Sequence, residues 1–226
     1  MNAVNDVQDR EKTMSIPFAP FKREDHIYSN PAFAEFLKDA VRAFNGSPVA
    51  PMPPPSFTGS GVYALYCTAV KGPYAKFGKE INRLEYKVPI YVGKAVPPGW
   101  RQSRQLDGTA DKSTSLYSRL CKHSHSIEQG KGLSLSDFAC RFLHLSTSEQ
   151  TLATKITDFM VALYKPLWNT IIRGFSRCNF TNSTEQTYHT NWDVMHNGKL
   201  PSTNERKRIL SKIYSYLNRT AKVFAA

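Results

Sequence analysis

The fold of this chain is decided by the stretch GVYALYC at residues 61–67, an apolar and aromatic run that predicts a buried β-strand. A second strand is predicted at PIYVG, residues 89–93. Because side chains alternate between the two faces of a strand, Tyr63 and Tyr91 each occupy a defined face, and Tyr91 shares its face with Gly93. Glycine has no side chain, so we expect a phosphate or a backbone to approach closely at Gly93.

Helices are predicted around these strands by apolar residues at helical spacing. Asn30 and Pro31 open the first helix, which ends at Gly46, and the capping box of Ser146 and Glu149 opens a later helix. Further elements are a helix at 114–128, a third strand at 138–145 and a basic helix at 204–219. This order predicts an α+β fold, with a small three-stranded sheet flanked by helices.

Composition divides the chain into three parts. We expect residues 1–28 to be a flexible lead-in, 29–172 to form the central domain together with the N-terminal helix, and 173–226 to be a C-terminal extension with its helix. The central domain carries an insertion at about residues 68–88, between the first two strands. Five prolines between positions 48 and 55 predict an extended connector ahead of the first strand.

The chain is strongly basic, with 30 Lys+Arg against 18 Asp+Glu and a formal net charge of +12. That excess favours a polyanionic partner, because every phosphate that a cation neutralises releases condensed counterions. The four cysteines contain no C-x-x-C pair, so we expect reduced thiols rather than a disulfide framework or a zinc clamp. No apolar run has the length of a bilayer span or the form of a signal peptide, and we expect a cytoplasmic protein without membrane contact.

Four features that occur in one order carry a family resemblance. They are Gly61-Val62-Tyr63, Tyr91-Val92-Gly93, Arg119 with His123 four residues later, and Asn169 after a helix end. Together they resemble the GIY-YIG nuclease superfamily. The stretches PIYVGKAVP at 89–97, GWRQSR at 99–104, YKPLWN at 164–169 and WDV at 192–194 are similar to the branch of type II restriction endonucleases that cuts CCGCGG. The resemblance covers roughly residues 22–200 and identifies 29–172 as the nuclease domain.

The resemblance implies a role for each of these side chains in phosphodiester hydrolysis. Tyr63 would be the base or the water-positioning residue, although a phenol with a pKa of about 10 is a poor base unless cations depress it. Tyr91 would contact phosphate or water, and Arg119 would stabilise the phosphorane charge. His123 would assist proton transfer, and Asn169 would hold the phosphate or the Tyr63 loop. Taken singly, each could be a core residue, a solvated helix face or a cap, and only their joint order points to catalysis.

The resemblance also implies a divalent metal ion, Mg²⁺ or Mn²⁺, that polarises the scissile phosphate. The family places a glutamate twelve residues before the asparagine, but this chain has Thr157 at that position. Asp158 is the adjacent carboxylate, about 100° around a helix from Thr157. Three alternatives follow: Asp158 binds the metal, Thr157 supports a weaker site, or the chain binds DNA without cutting it.

These features predict a type II restriction endonuclease that hydrolyses double-stranded DNA at a GC-rich palindrome, CCGCGG by resemblance. Cutting both strands of a palindrome requires two active sites, so we expect a homodimer or a larger homo-oligomer, and the resemblance implicates the insertion in dimer contacts. Lys94, Arg101 and Arg104 are candidate contacts to guanine edges or to phosphates. A companion methyltransferase is expected in the same bacterial system, although not as a binding partner.

Two other functions compete with this interpretation. The first is a non-catalytic, sequence-specific DNA-binding protein on a degenerate nuclease scaffold, which would bind DNA in a salt-sensitive way without metal-dependent turnover. The second is a structure-specific repair nuclease or a homing-type nuclease on the same fold, which would cut branched or long asymmetric targets.

Overall fold

The computed structural model describes residues 20–97, 112–146, 149–175, 190–197 and 203–224. Its strands are β1 (Val49–Pro51), β2 (Gly61–Cys67), β3 (Tyr91–Ala95) and β4 (Phe138–His144). Its α-helices are α1 (Pro31–Gly46), α2 (Ser115–Glu128), α3 (Ala153–Tyr164), α4 (Leu167–Thr170) and α5 (Thr203–Phe224). Short 3₁₀ or π turns lie at Arg23–His26, Gly72–Tyr74, Phe77–Ile81, Leu135–Asp137, Gln150–Leu152 and Asp193–Asn197. The elements confirm the predicted α+β class.

In the described residues the strands form one antiparallel sheet in the order β1-β4-β2-β3. The three strands predicted from the sequence are β2, β3 and β4, and the sheet gains a fourth strand from the proline-rich connector. Pro51 pairs with Ala139 at the end of β1. Proline has no N–H to donate, so it is tolerated there because β1 lies at the edge of the sheet.

Two layers of helices cover the two faces of the sheet. On one face, α1 and α3 share a hydrophobic core with Val62, Ala64 and Tyr66 of β2. On the other face, α2, α4 and α5 share a core with Tyr63 and Leu65. All seven residues of β2 are buried. The alternation along β2 therefore directs Tyr63 into the layer of α2, α4 and α5.

The helix ends follow local rules of capping. Asn30 caps α1 as predicted, because its side-chain oxygen accepts a hydrogen bond from the N–H of Ala32 at 3.0 Å. α3 begins later than the Ser146–Glu149 pair predicts, at Ala153, after one 3₁₀ turn. It ends at Tyr164 with Lys165 in the left-handed region at φ 46°, since a residue before proline is disfavoured in helical conformation.

The C-terminal helix packs into the same core as Tyr63. Ile209, Ile213 and Leu217 recur at helical spacing and are buried on this side of α5. The basic side chains Arg208 and Lys212 lie on its exposed side. None of the helices in the described ranges is long and apolar enough to cross a bilayer.

The insertion between β2 and β3 is closed by one buried amide, that of Asn82. Its Nδ2 donates to the carbonyl oxygens of Cys67 at 3.1 Å and Val88 at 2.9 Å. Its Oδ1 accepts from the N–H groups of Lys87 at 3.1 Å and Val88 at 3.0 Å. Asn82 thus joins the end of β2 to the chain that leads into β3, and every hydrogen bond of this side chain is to the backbone.

Replacing Asn82 with alanine should lower the free energy of unfolding by roughly 2–4 kcal/mol, because buried backbone groups lose their partners. Urea unfolding at neutral pH followed by circular dichroism measures this change. Arg83→Ala is the matched control, because Arg83 is exposed and adjacent, and it should change the stability by less than about 0.5 kcal/mol. Equal stability losses in the two variants would contradict the role given to Asn82.

Candidate active site

The centre of the site is a buried hydrogen bond between Tyr63 and His123. Tyr63 Oη and His123 Nε2 are 2.6 Å apart. Tyr63 comes from the central strand β2, and His123 comes from the third turn of α2, which packs on the same face of the sheet. Tyr63 is 1% exposed and His123 is 3% exposed. The phenol and the imidazole therefore meet in a place that water scarcely reaches.

Gly93 makes room for the Tyr63 phenol. The register of β2 and β3 sets Gly93 directly opposite Tyr63. A Cβ on Gly93 would lie 2.5 Å from Tyr63 Oη and 3.0 Å from the ring of Tyr91. The sequence predicted a close approach of phosphate or backbone at this glycine, and in the structure the group that approaches is the Tyr63 side chain.

Tyr91 and Arg119 lie on the more accessible side of this pair. The Tyr91 ring packs edge-on against His123 with a centroid distance of 5.3 Å, and it lies 6.2 Å from the Tyr63 ring. Arg119 is exposed and stands one helical turn before His123 on α2. The structure thus brings together Tyr63, Tyr91 and His123, and it places the Arg119 charge close enough to influence both Tyr63 and His123.

Burial sets the protonation states of the pair. Burial, and then the neighbouring Tyr91, raise the pKa of Tyr63 well above its ordinary value, while Arg119 acts in the opposite direction. Burial, and then Arg119, lower the pKa of His123 to about 3. Although the Arg119 guanidinium lies nearby, the pKa of Tyr63 stays raised and its phenol stays protonated. At neutral pH both groups are therefore uncharged, and in the tautomer that carries its proton on Nδ1, His123 accepts the Tyr63 hydroxyl proton on Nε2.

Asn169 binds the backbone of β3 with both ends of its amide. Its Oδ1 accepts from the N–H of Val92 at 2.8 Å, and its Nδ2 donates to the Val92 carbonyl at 2.9 Å. The preceding residue, Trp168, donates its N–H to the Ile90 carbonyl at 2.9 Å. Trp168 and Asn169 thus supply hydrogen-bond partners to the edge of β3 that does not face β2. Asn169 thus holds the strand that carries Tyr91, and its side-chain oxygen and nitrogen are both engaged there.

The candidate DNA contacts fall in different places. Lys94 points to the face opposite Tyr63, where its Nζ donates to Thr154 Oγ1. Arg101 and Arg104 lie outside the described residues. The described part of the chain therefore does not bring Lys94 onto the face that carries the Tyr63–His123 pair.

Thr157 and Asp158 lie on α3 beside the edge strand β3. The contact from Lys94 to Thr154 joins the first turn of α3 to the end of β3, and the end of α3 leads into α4, which binds Val92. α3 therefore runs antiparallel to β3. One turn after Thr154, Thr157 and Asp158 reach about the level of Val92, which lies between Tyr91 and Gly93 on β3.

Neither of these two side chains belongs to a cluster of potential metal ligands in the described residues. Thr157 Oγ1 donates to the carbonyl of Ala153 at 2.7 Å within its own helix, and the Asp158 side chain is exposed. Within the described ranges, no three His, Cys, Asp or Glu side chains come together as a metal-binding group. The described residues therefore form no site of several carboxylates for Mg²⁺ or Mn²⁺, and Asp158 is the one carboxylate of α3.

Sequence reasoning missed two aromatic contacts of this face. The ring of Phe175 stacks on His123 with centroids 4.6 Å apart. A second buried pair joins Tyr74 Oη to His196 Nε2 at 2.7 Å, and the other ring nitrogen of His196 contacts the Lys131 carbonyl at 3.1 Å. Each contact joins residues that are far apart in the chain, so neither periodicity nor spacing could indicate it.

Stability should fall when the pH drops below 6.5, because burial lowers the pKa of His123 to about 3 and that of His196 to about 4, from an ordinary value of 6.5. The unfolded chain then binds protons that the folded chain excludes, so the stabilisation is complete above pH 6.5 and is lost as the pH falls. Each histidine should lower the free energy of unfolding at pH 5 by about 2 kcal/mol relative to its value at pH 7. Urea unfolding at both pH values measures the loss.

His123→Asn and His196→Gln should each reduce that loss by about 2 kcal/mol, because neither replacement titrates in this range. Replacing the exposed His125 by asparagine is the control, and it should leave the loss unchanged. An unaltered pH dependence in His123→Asn would show that His123 is not buried in its neutral form.

The family model described as the Eco29kI GIY-YIG domain matches residues 55–218 of the chain. This range includes Tyr63, Tyr91, Arg119, His123 and Asn169. No curated protein sequence matches the chain significantly. The family is one of type II restriction endonucleases, and Eco29kI itself cleaves CCGCGG. Since the match spans more than half of the chain and the fold agrees with it, this protein belongs to the Eco29kI family of GIY-YIG restriction endonucleases.

Proposed function

We propose that the protein is a type II restriction endonuclease that hydrolyses both strands of double-stranded DNA at a GC-rich palindrome, CCGCGG by family membership. Membership in a restriction endonuclease family supports nuclease activity and DNA binding. The observation that carries the proposal further is the Tyr63–His123 pair, with Tyr91 against it and the Arg119 charge nearby.

Proton transfer in this proposal runs from water through Tyr63 to His123. Because the Tyr63 phenol stays protonated, it cannot act as a phenolate base. It can accept a proton from the attacking water on Oη while its own proton moves to His123 Nε2, 2.6 Å away. The water oxygen bonds to phosphorus, the bond to the leaving oxygen breaks, and that oxygen takes a proton from solvent.

A bound phosphodiester makes His123 a better proton acceptor. In the free protein, burial and Arg119 lower the pKa of this imidazole to about 3. A phosphate beside the pair brings a negative charge that favours the imidazolium and offsets the effect of Arg119. The DNA itself therefore raises the basicity of His123 at the moment when the proton is transferred.

Arg119 and Tyr91 have supporting roles in the proposal. Arg119 is exposed, so its guanidinium can contact a phosphate and stabilise the charge that grows on the phosphorane. Tyr91 is half-buried against His123, and its hydroxyl is a candidate contact to the phosphate or to the attacking water. Asn169 acts through the backbone by holding β3, and with it Tyr91, in register.

The proposal includes dependence on Mg²⁺ or Mn²⁺, which rests on the general use of divalent metals in this family. The glutamate that the resemblance places at position 157 is a threonine bonded within its helix, and Asp158 is the one carboxylate of α3. The same observation favours the second candidate function, a sequence-specific DNA-binding protein that has lost turnover.

The palindromic target implies two copies of the chain. Two active sites related by a two-fold axis are needed to cut two antiparallel strands, so we propose a homodimer or a larger homo-oligomer in the bacterial cytoplasm. Arg101 and Arg104 remain candidate contacts to guanine or phosphate. Lys94 is a weaker candidate, because it bonds to Thr154 on the face opposite Tyr63. A companion methyltransferase is proposed as part of the same system.

Replacing Tyr63 with phenylalanine should slow DNA cleavage by roughly 10²–10⁴-fold, because the hydroxyl that joins water to His123 is removed. Single-turnover cleavage of a duplex containing CCGCGG measures the rate. Tyr66→Phe is the matched control, because Tyr66 is a buried tyrosine of the same strand on the opposite face, and it should retain the natural rate within about threefold. Cleavage at the natural rate by Tyr63→Phe would contradict the proton path.

Replacing Thr157 with glutamate should raise Mg²⁺-dependent cleavage by roughly tenfold or more, because it restores the carboxylate that the resemblance places at this position. Plasmid DNA containing CCGCGG is incubated with Mg²⁺ or with EDTA. Ala162→Glu is the control, because it adds the same single negative charge at an exposed position about 140° around α3 from residue 157 and should not change the rate.

The two candidate functions separate in this experiment. Discrete Mg²⁺-dependent fragments from the natural protein support the endonuclease. Cleavage by Thr157→Glu alone, with salt-sensitive binding by both proteins, supports the binding protein. If neither protein cuts while both bind DNA, the proposed hydrolysis is wrong.

A further inference from the structure

We propose that Phe175 is a positioning residue of the proposed nuclease site, and that its ring holds the His123 imidazole in the plane in which Nε2 meets Tyr63 Oη. The inference rests on the proposed function for its catalytic meaning. Its structural content concerns the imidazole alone and can be tested without DNA cleavage.

The ring of Phe175 touches two aromatic members of the site. It stacks on His123 with centroids 4.6 Å apart and an interplanar angle of 18°. It meets Tyr91 edge-on at 5.1 Å and 74°. Phe175 is 1% exposed, so this ring occupies space next to His123 that water would otherwise fill.

Phe175 is itself held from behind by two buried tryptophans. The ring centroid of Trp168, in α4, lies 4.5 Å from that of Phe175. The ring centroid of Trp192, in the 190–197 segment, lies 4.6 Å from it. The N–H of Trp192 donates to the Arg173 carbonyl at 3.1 Å, two residues before Phe175. Two separate parts of the chain therefore fix the place of this ring.

The backbone just before Phe175 requires glycine. Gly174 has φ +114°, a conformation that residues with side chains rarely adopt, and a Cβ there would lie 2.2 Å from Thr190 Oγ1. This turn directs Phe175 back toward His123 after α4 has ended. Any residue with a side chain would be strained at position 174, so the turn before Phe175 depends on glycine.

A stacked ring supplies a constraint that the hydrogen bond lacks. The bond from Tyr63 fixes the position of His123 Nε2, but it leaves the imidazole free to rotate about that contact. Phe175 on one face and the edge-on Tyr91 together define the ring plane. In the described part of the chain, the titratable and charged groups that face His123 are Tyr63 of β2, Tyr91 of β3 and Arg119 of its own helix. Phe175 contributes an uncharged apolar face.

Two replacements of Phe175 distinguish its exclusion of water from its effect on the orientation of the His123 ring. Phe175→Ala removes the ring and opens a cavity that water can enter, so His123 should titrate with a midpoint above pH 5. Phe175→Leu keeps an apolar side chain without a flat ring, so His123 should stay neutral at pH 5 while its orientation loosens. Proton–nitrogen NMR of the imidazole between pH 5 and 8 measures the titration of His123 and the loosening of its orientation. His123→Asn is used to assign the signals.

The control is the pair Phe44→Ala and Phe44→Leu. Phe44 is a fully buried phenylalanine in the core on the opposite face of the sheet, so these variants lose the same volume elsewhere. We expect no His123 titration above pH 5 in either. A His123 titration in Phe175→Ala that matches that of Phe44→Ala would overturn the proposal.

Cleavage kinetics supply the second readout. Phe175→Leu should lower kcat at least tenfold with KM for CCGCGG DNA changed less than threefold, and the Phe44 variants should retain kcat. An unchanged kcat in Phe175→Leu, with an active natural protein, would overturn the positioning role. If the natural protein does not cut at all, the NMR result still decides the effect of Phe175 on His123, and only the proposed function fails.

Discussion

The hydrogen bond between the Tyr63 phenol and the His123 imidazole is the interaction on which the rest of the site depends. It joins the central strand β2 to α2 in a buried place, where the two groups can remain only if each satisfies the other. Burial keeps the tyrosine protonated and the histidine neutral, which are complementary states. The pair is therefore first of all a constraint on packing.

Several parts of the fold serve to keep this pair in place. Gly93 leaves the space that the Tyr63 phenol occupies, and Asn169 holds the strand that carries Gly93 by binding Val92 on both sides. These are backbone and packing functions, although both residues belong to the motif that marks the family. Their contacts in the structure are thus to the strand and to the Tyr63 side chain.

The pattern of residues predicted the sheet because burial and alternation are local properties. The run at 61–67 became the buried central strand, Asn30 became a cap, and the helix predicted after the Ser146–Glu149 pair became α3. The fourth strand was not predicted, because prolines 48–55 indicate extended chain but not its partner. Phe175 was missed for the same reason: its stacking on His123 depends on where the chain returns after α4.

The sequence by itself determined the fold class, the family and the set of chemical groups, because these follow from residue types, their order and their spacing. Only the tertiary structure decided what those groups do to one another. It assigned the Asn169 amide to Val92 and left the Asp158 carboxylate exposed. The physical reason is that burial, which sets the protonation of Tyr63 and His123, is a property of the surroundings, and distant segments of the chain create those surroundings.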